Sequence, residues 1–289
     1  MNDEAACTVV IVAYQSAAKL PSCLAAIPSA CPVIVVVNAS PDDSAGVTLA
    51  ARPAARVIRG EMNLGFGPGA NLGFAAVTTE FGMLLNADAT LEPDTIAGLI
   101  AAARRYPEAG LLAPEVIADE GHMQFGHDLP FRKLLGPVVG PVGDACCWYV
   151  GGSVMFLRIS ALRGIDGFDP DIFLYYEDDD LCLRMRAAGH ALIHVAGVRV
   201  LHEGGASSAP SPALERWKAF HQGWSRLHLE AKHRGSAAAW RLALTEYPAL
   251  ALKALLRQGD ERHIKWSGRA AGMRAWMQGR KATAITLGK

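Results

Sequence analysis

Apolar residues run on continuously, without alternation, through residues 8–13 (TVVIVA), 33–37 (VIVVV) and 81–85 (FGMLL). Such runs suit strands buried on both faces of a sheet. Arg56-Val57-Ile58 predicts a weaker strand, and residues 111–113 a short strand at a sheet edge. Helical patterns fill the gaps. One spans residues 16–27, one residues 69–79, and one residues 95–106, with Glu92, Pro93 and Asp94 as start signals. This alternation predicts an open α/β sheet with helices on both sides.

The pattern changes in the second half. Residues 115–145 are rich in Gly and Pro and lack a clear period, which predicts a long loop of the kind that serves as a lid or binding loop. Residues 150–157 and 193–201 read as strands, and residues 178–188 as a helix stopped by Gly189. After Ser207-Ser208-Ala209-Pro210 the chain reads as helical to its end. The expected division is therefore residues 1–209 as an α/β catalytic domain and residues 210–289 as a helical extension. No repeat of 20–50 residues is present.

Charge sharpens that division. The chain of 289 residues has 28 basic and 28 acidic side chains, and 51% hydrophobic residues, enough for a sizeable core. Residues 210–289 hold 15 of the basic and 5 of the acidic groups, a balance of +10, so residues 1–209 carry −10. An acidic body suits a bound cation, and a basic extension suits phosphates or an anionic membrane. No apolar run reaches the roughly 18 residues of a spanning helix. The acidic start Met1-Asn2-Asp3-Glu4 and the short apolar stretch after it do not resemble a signal peptide, so a cytoplasmic protein is expected. None of the six cysteines forms a C-x-x-C pair, which removes zinc-ribbon and thioredoxin readings.

Four segments carry candidate chemistry. Asn86-Ala87-Asp88 follows the strand at 81–85 directly, at a carboxyl edge where ligands of open α/β sheets bind. A carboxylate there can hold a divalent cation on a diphosphate. In Glu177-Asp178-Asp179-Asp180, four carboxylates stand in a row beside Tyr175 and Tyr176. A helix start accounts for one or two of them, and their mutual repulsion raises their pKa values. Asp180 and Arg184 have the spacing of a helical ion pair. His202 ends the strand at 193–201 and can join Asp88 around a cation, whereas His122, His127, His221 and His233 have no such setting. The glycine run from Asn63 to Gly73 fits a dinucleotide fingerprint at Gly65-x-Gly67-x-x-Ala70, with Asp88 some 20 residues on. That fit makes a nicotinamide-dependent oxidoreductase the rival reading. Against it, the run follows the third strand, and that strand ends near Ile58.

In order along the chain, these pieces resemble the family 2 inverting glycosyltransferases of GT-A fold, closest to a bacterial rhamnosyltransferase-like branch. The resemblance spans roughly residues 8–235. It rests on Val12-Ala13-Tyr14-Gln15-Ser16, Val36-Val37-Asn38-Ala39-Ser40-Pro41-Asp42, Asn63-x-Gly65-Phe66 with Asn71-x-Gly73, and Leu84-Leu85-Asn86-Ala87-Asp88. It continues through Val150-Gly151-Gly152-Ser153, Gly167-Phe168-Asp169, Phe173 to Cys182 with Arg184, and His202-x-x-Gly205-x-Ser207.

The resemblance implies an open, mostly parallel twisted sheet and a nucleotide-sugar donor such as dTDP-rhamnose. It implies a divalent cation, Mg2+ or Mn2+, and a glycan or lipid-linked saccharide as acceptor. By similarity Asp88 and His202 hold the metal, and Asp178, after Glu177, is the catalytic base. Ala13, Tyr14, Asn38, Asp42, Asn63, Gly65, Asn71, Asn86 and Asp88 line the donor site. Trp148, Gly151, Gly152 and Tyr176 face the acceptor. One departure stands out: Val37 occupies a position where the family usually has an acidic residue for the pyrimidine ring, which leaves that task to backbone groups or Asp42. A GT-A-like binding protein without turnover is a second rival, against which the retained acidic and histidine positions argue.

In the extension, Leu214, Trp217, Phe220, Trp224 and Leu227 recur near helical spacing, with Lys218, Arg226 and Lys232 at other positions. Basic amphipathic helices with tryptophans can lie on a membrane surface, here the inner face of the cytoplasmic membrane. They can equally pack on the body or form a homodimer seam. Nucleic acid is not expected as a partner, because the body is acidic and no recognised module appears.

Overall fold

A computed structural model describes residues 3–118, 123–124, 131, 141–202, 211–257 and 261–282. The chain forms two compact units. The first comprises Met1–Leu64, Gly69–Phe168 and Leu181–Ser208; the second comprises Gly65–Pro68, Asp169–Asp180 and Ala209–Lys289.

All strands among the described residues belong to the first unit. They are β1 (Cys7–Ala13), β2 (Val33–Val37), β3 (Arg56–Arg59), β4 (Phe81–Leu85), β5 (Ala89–Leu91), β6 (Ala109–Ala118), β7 (Met123–Gln124), β8 (Ala145–Cys146), β9 (Val154–Arg158) and β10 (Ala191–His202). They form one mixed sheet in the order β3-β2-β1-β4-β9-β6-β10-β5, with β7 added on β6 and β8 on β10. β1 to β4 pair in parallel, as do β6 and β10. β9 runs antiparallel between β4 and β6, and β5 antiparallel to β10. Only three residues separate β5 from β4, yet β5 ends the strand order. Four strand spacings of about 4.8 Å exceed what so short a connection spans in a flat sheet. The sheet is therefore curled.

The continuous apolar runs are the buried centre, with every residue of β2 and β4 buried. The helices of this unit are α1 (Leu20–Ala25), α2 (Ser44–Ala51), α4 (Thr95–Arg105) and α5 (Ile159–Gly164), with most of α3 (Phe66–Ala75) and of α6 (Glu177–Ala187). α4 buries Ile96, Leu99 and Ile100. Two glycines of α3 serve packing: a Cβ on Gly73 would lie 2.3 Å from Val10 Cγ1, and one on Gly69 3.1 Å from Val12 Cγ1. Small residues here let the helix approach β1 and β2 closely. Phosphate binding is not needed to explain these two glycines, neither of which is a defining position of the Gly65-x-Gly67-x-x-Ala70 fingerprint.

Two expectations need correction. β6 is an interior strand of ten residues, not a short edge. The apolar run stops early because Pro114 and Glu115 follow it. Proline in a sheet is confined to edges and bulges, and the β6–β10 pairing does shift register between His194 and Arg199, opposite these residues. Glu115 Oε1 accepts from Gly197 N at 2.9 Å, and its Oε2 lies 3.2 Å from Arg199 Nε, so a charged residue fits this irregular stretch. The expected loop at 115–145 accordingly begins inside β6 and ends in β8. Residues 119–122, 125–130 and 132–140 of it lie outside the described residues, as do His122, His127, Gly205, Ser207 and residues 283–289 of the expected helical tail.

The second unit contains α7 (Pro212–Arg234), α8 (Ser236–Leu256) and α9 (Glu261–Met277). Ser211 caps α7 by accepting from Leu214 N. Phe173, Phe220, Trp224 and Ala275 share one apolar cluster of this unit, with Trp217 packed against it. Among the described residues, no helix is long and apolar enough to cross a membrane.

Candidate active site

The carboxyl ends of four adjacent parallel strands gather most of the expected donor residues. Asn63 follows β3, Asn38 and Asp42 follow β2, Ala13 ends β1 with Tyr14 next to it, and Asn86 to Asp88 follow β4. The strand order reverses between β1 and β4, and open α/β sheets bind ligands at such reversals. Asn38 Nδ2 donates to Asn63 Oδ1 at 2.9 Å, and Asn38 Oδ1 accepts from Leu64 N at 3.0 Å. Asp42 fastens the loops after β1 and β2 together. Its Oδ1 accepts from the hydroxyls of Ser40 and Ser44, each at 2.6 Å, and its Oδ2 from Ala17 N at 2.9 Å. Burial disfavours the charged carboxylate, but these donors outweigh it and hold the Asp42 pKa below the usual range. Val37 is buried at the end of β2, and its carbonyl accepts from Ala39 N and Gly60 N, each at 2.9 Å.

At the β4 end, the Asp88 side chain is 2% exposed, and its Oδ1 lies 3.2 Å from His202 Nε2. Asn86 Nδ2 lies 3.4 Å from the same nitrogen. The register explains the meeting: His202, the last residue of β10, pairs with Ala89, the residue after Asp88. Asn86 N donates to Ser153 O at 2.9 Å and fixes the turn. Burial pushes the nearby Cys23 thiol up to about 12, and the Asp88 charge adds to the rise. A sealed carboxylate facing an imidazole offers two donors to a divalent cation. No group of three or more His, Cys, Asp or Glu suited to a metal exists among the described residues. An ion held by this pair alone would need waters or substrate phosphates in its remaining positions.

Asn71 is committed to the backbone. Its Nδ2 donates to Phe168 O and its Oδ1 accepts from Phe168 N, both at 2.8 Å. On the expected acceptor side, Gly151 helps line a cavity of about 200 Å3 with Cys147, Tyr149, Ser153 and His194. Gly152 is next in the chain. Trp148 is 48% exposed, with the Arg186 guanidinium carbon 3.4 Å from its ring centre.

The acidic run and the loop before it are built within the second unit. Phe173 stacks on the His221 ring at 4.7 Å and meets Trp217 edge-on at 5.4 Å. The Phe173 carbonyl accepts from Phe66 N at 2.9 Å. This approach requires glycine at position 65, where φ is +94° and a Cβ would lie 2.1 Å from the same carbonyl oxygen. Ser225 Oγ donates to Leu174 O at 3.0 Å. Tyr175 and Tyr176 then both take left-handed backbone angles, φ 65° and 66°. Two adjacent bulky residues there hold strain, which tends to collect where a fold positions reactive groups.

α6 begins at Glu177, and its four carboxylates divide. Asp180 is fully buried and meets Lys232 Nζ and His233 Nε2, each at 2.8 Å. Lys232 also reaches Asp169 Oδ2 at 2.6 Å, and His228 Nε2 lies 3.3 Å from that oxygen. Burial works against the Asp169 charge, but the His228 and Lys232 contacts dominate and hold its pKa well below the usual range. Glu177 is buried, and burial first, then Asp178 and Asp179, push its carboxyl well above the usual range. In neutral form it donates rather than accepts a proton. Burial and the Asp178 charge push Asp179 up to about 7. Asp179 N donates to Asp178 Oδ1 at 3.1 Å.

The sequence reading missed the α7 residues that hold this segment. Their signal was present, since His228 and Lys232 have the i,i+4 spacing of one helix face. Their acidic partners lie some 50–60 residues earlier, and nothing local pairs them. The expected site residues thus fall into two groups. Gly65, Tyr176, Glu177 and Asp178 belong to the second unit and all the others to the first.

Two family models match the chain: glycosyl transferase family 2 over residues 8–144 and glycosyl transferase family group 2 over residues 83–279. An N-acetylglucosaminyl-diphospho-decaprenol L-rhamnosyltransferase of Mycobacterium tuberculosis is 28% identical, over 89% of this chain and 96% of its own length. Among solved structures, TarS 1–349 of S. aureus in complex with UDP-GlcNAc matches 95% of this chain and 92% of its own, with TM-score 0.57 and 13% identity. The mannosyltransferase PcManGT of Pyrobaculum calidifontis, in complex with GDP-Man and Mn2+, matches 95% and 88%, with TM-score 0.58 and 16% identity. The curled α/β sheet, the polar side chains gathered at its carboxyl edge and the family models agree: this chain belongs to glycosyl transferase family 2 and is a glycosyltransferase.

Proposed function

We propose that this enzyme moves L-rhamnose from dTDP-rhamnose to a hydroxyl of a saccharide carried on a polyprenyl diphosphate, with inversion at the anomeric carbon. The observation that carries the site assignment is the sealed Asp88–His202 pair at the carboxyl edge of β4. Support for the sugar and acceptor comes from the rhamnosyltransferase matched nearly end to end.

In this reading, Asp88 and His202 hold Mg2+ or Mn2+, which when bound neutralises charge on the donor diphosphate. Tyr14, Asn38, Asn63 and Asn86 shape the donor site, while Asp42 and Asn71 hold the loops and backbone around it. Asp178 accepts the proton of the acceptor hydroxyl. The freed oxygen pair forms the new bond to the anomeric carbon as the bond from that carbon to the diphosphate oxygen breaks, and dTDP departs with its electrons. Burial, with the neighbouring carboxylates, keeps Glu177 protonated beside Asp178. Gly151, Gly152, Trp148 and Tyr176 contact the acceptor, and the working location is the inner face of the cytoplasmic membrane.

The test is a transfer assay with the purified chain, Mg2+ or Mn2+, N-acetylglucosaminyl-diphospho-polyprenol and, in parallel, dTDP-rhamnose, UDP-GlcNAc and GDP-mannose. Rhamnosyl product of inverted configuration from dTDP-rhamnose alone is expected. Transfer from another donor would overturn the donor, and retained configuration would overturn the mechanism.

A further inference from the structure

α8 packs Leu242, Tyr247 and Leu250 against Leu227 and Met273, yet it also turns large apolar residues outward. The side chains it buries fully are small, Ala238, Ala239, Ala243 and Ala254. The ones it exposes are large: Trp240, Leu244, Leu252, Leu255 and Leu256 are between 43% and 73% exposed. Positions 240, 244, 252 and 256 are multiples of four apart, so they share one side of the helix, with 255 beside them. A surface helix normally turns its large apolar residues toward the core. A contiguous apolar stripe facing outward marks a binding surface.

Charge indicates the occupant. The exposed positions of α8 include the cations Arg241 and Lys253 and no carboxylate. Its one acidic residue, Glu246, lies 2.8 Å from Arg226 and is not among the exposed residues. Residues 210–289 as a whole carry +10. An apolar stripe with a tryptophan at one end and cations beside it suits the boundary between lipid headgroups and acyl chains. The helix does not meet the requirements of a membrane span, so it would lie along the surface.

We propose that the exposed face of α8 docks on an anionic bilayer, with Trp240, Leu244, Leu252, Leu255 and Leu256 entering the interface and Arg241 and Lys253 meeting lipid phosphates. The proposal stands on α8 alone and does not depend on the sugar transferred. If both readings hold, docking brings the enzyme to acceptors anchored in that bilayer.

The test is flotation of the full chain with vesicles of equal parts phosphatidylglycerol and phosphatidylcholine, against vesicles of phosphatidylcholine only. The wild type should bind the anionic vesicles about tenfold better, and less in high salt. Leu252→Glu with Leu255→Glu should lower that binding about tenfold, while thermal unfolding and transfer to a water-soluble acceptor stay as in the parent. As a readout that needs no added charge, brominated lipid should quench a component of the wild-type fluorescence that Trp240→Phe removes. No binding to anionic vesicles, equal binding by the folded glutamate variant, or quenching unchanged by Trp240→Phe would each overturn the proposal. So would a dimer that the glutamate substitutions dissolve in a chain that ignores vesicles, since the face would then be a self-interface.

Discussion

Two regions of the molecule bury carboxylates, and they treat them in opposite ways. At the sheet edge, Asp88 is sealed beside an imidazole, a partner that is charged only when protonated. At the start of α6, Asp180 is sealed more completely but meets the permanent ammonium of Lys232, which also holds Asp169. Between these extremes, Glu177 is buried and Asp179 half-buried, both close to like charges, and their pKa values rise. Burial alone therefore does not single out a functional carboxylate. The charge of the partner separates a group that is structurally neutralised from one kept available for a cation or a proton.

The largest effect on ligand binding should come from removing the sheet-edge group. Asp88→Ala is expected to weaken dTDP binding in Mg2+ or Mn2+ by about 100-fold or more, on the scale of several kcal/mol for metal–phosphate contacts. Calorimetric titration measures this directly. Unchanged metal-dependent affinity would place the diphosphate elsewhere.

Removing the permanent cation should act on stability instead. Lys232→Met takes the ammonium away from both Asp180 and Asp169, beside which His233 and His228 stay. Breaking a buried pair from one side costs about 3 kcal/mol or more, reduced here to about 2 kcal/mol because the lysine is 30% exposed. The urea midpoint should fall, and a midpoint equal to that of the parent would remove Lys232 from its clamping role.

A pH-dependent effect concerns Asp179. Its folded pKa is raised, from 3.8 to about 7, so between about pH 4 and 7 the folded chain binds more protons than the unfolded chain. This group therefore makes stability fall as pH rises through that window. Asp179→Asn should raise the melting temperature at pH 8 and flatten the decline from pH 4. A variant no more stable than the parent at pH 8 would show that Asp179 ionises without cost.

Much of this was legible in the chain. The runs at 33–37 and 81–85 are strands buried along their whole length because each is apolar throughout. Asp88 stood out because the segment Asn86-Ala87-Asp88 directly follows such a run. β6 was misread because Pro114 and Glu115 obey an irregular pairing with β10 that only the folded sheet supplies. α2 and α5 were not foreseen: eight and six residues long, they are too short to build an apolar period. The left-handed Tyr175 and Tyr176 could not be read at all, since aromatic residues rarely adopt such angles. The same limit applies to Lys232, whose meaning depends on acidic residues far away in sequence.

The division of labour between the two regions is tested most directly by measuring donor affinity and turnover together in Asp178→Asn. The account predicts that kcat falls about 1000-fold, the scale of a lost general base, while dTDP-rhamnose affinity stays within about twofold of the parent. Turnover within about tenfold of the parent, or donor affinity lost along with it, would contradict the assignment of proton transfer to the start of α6.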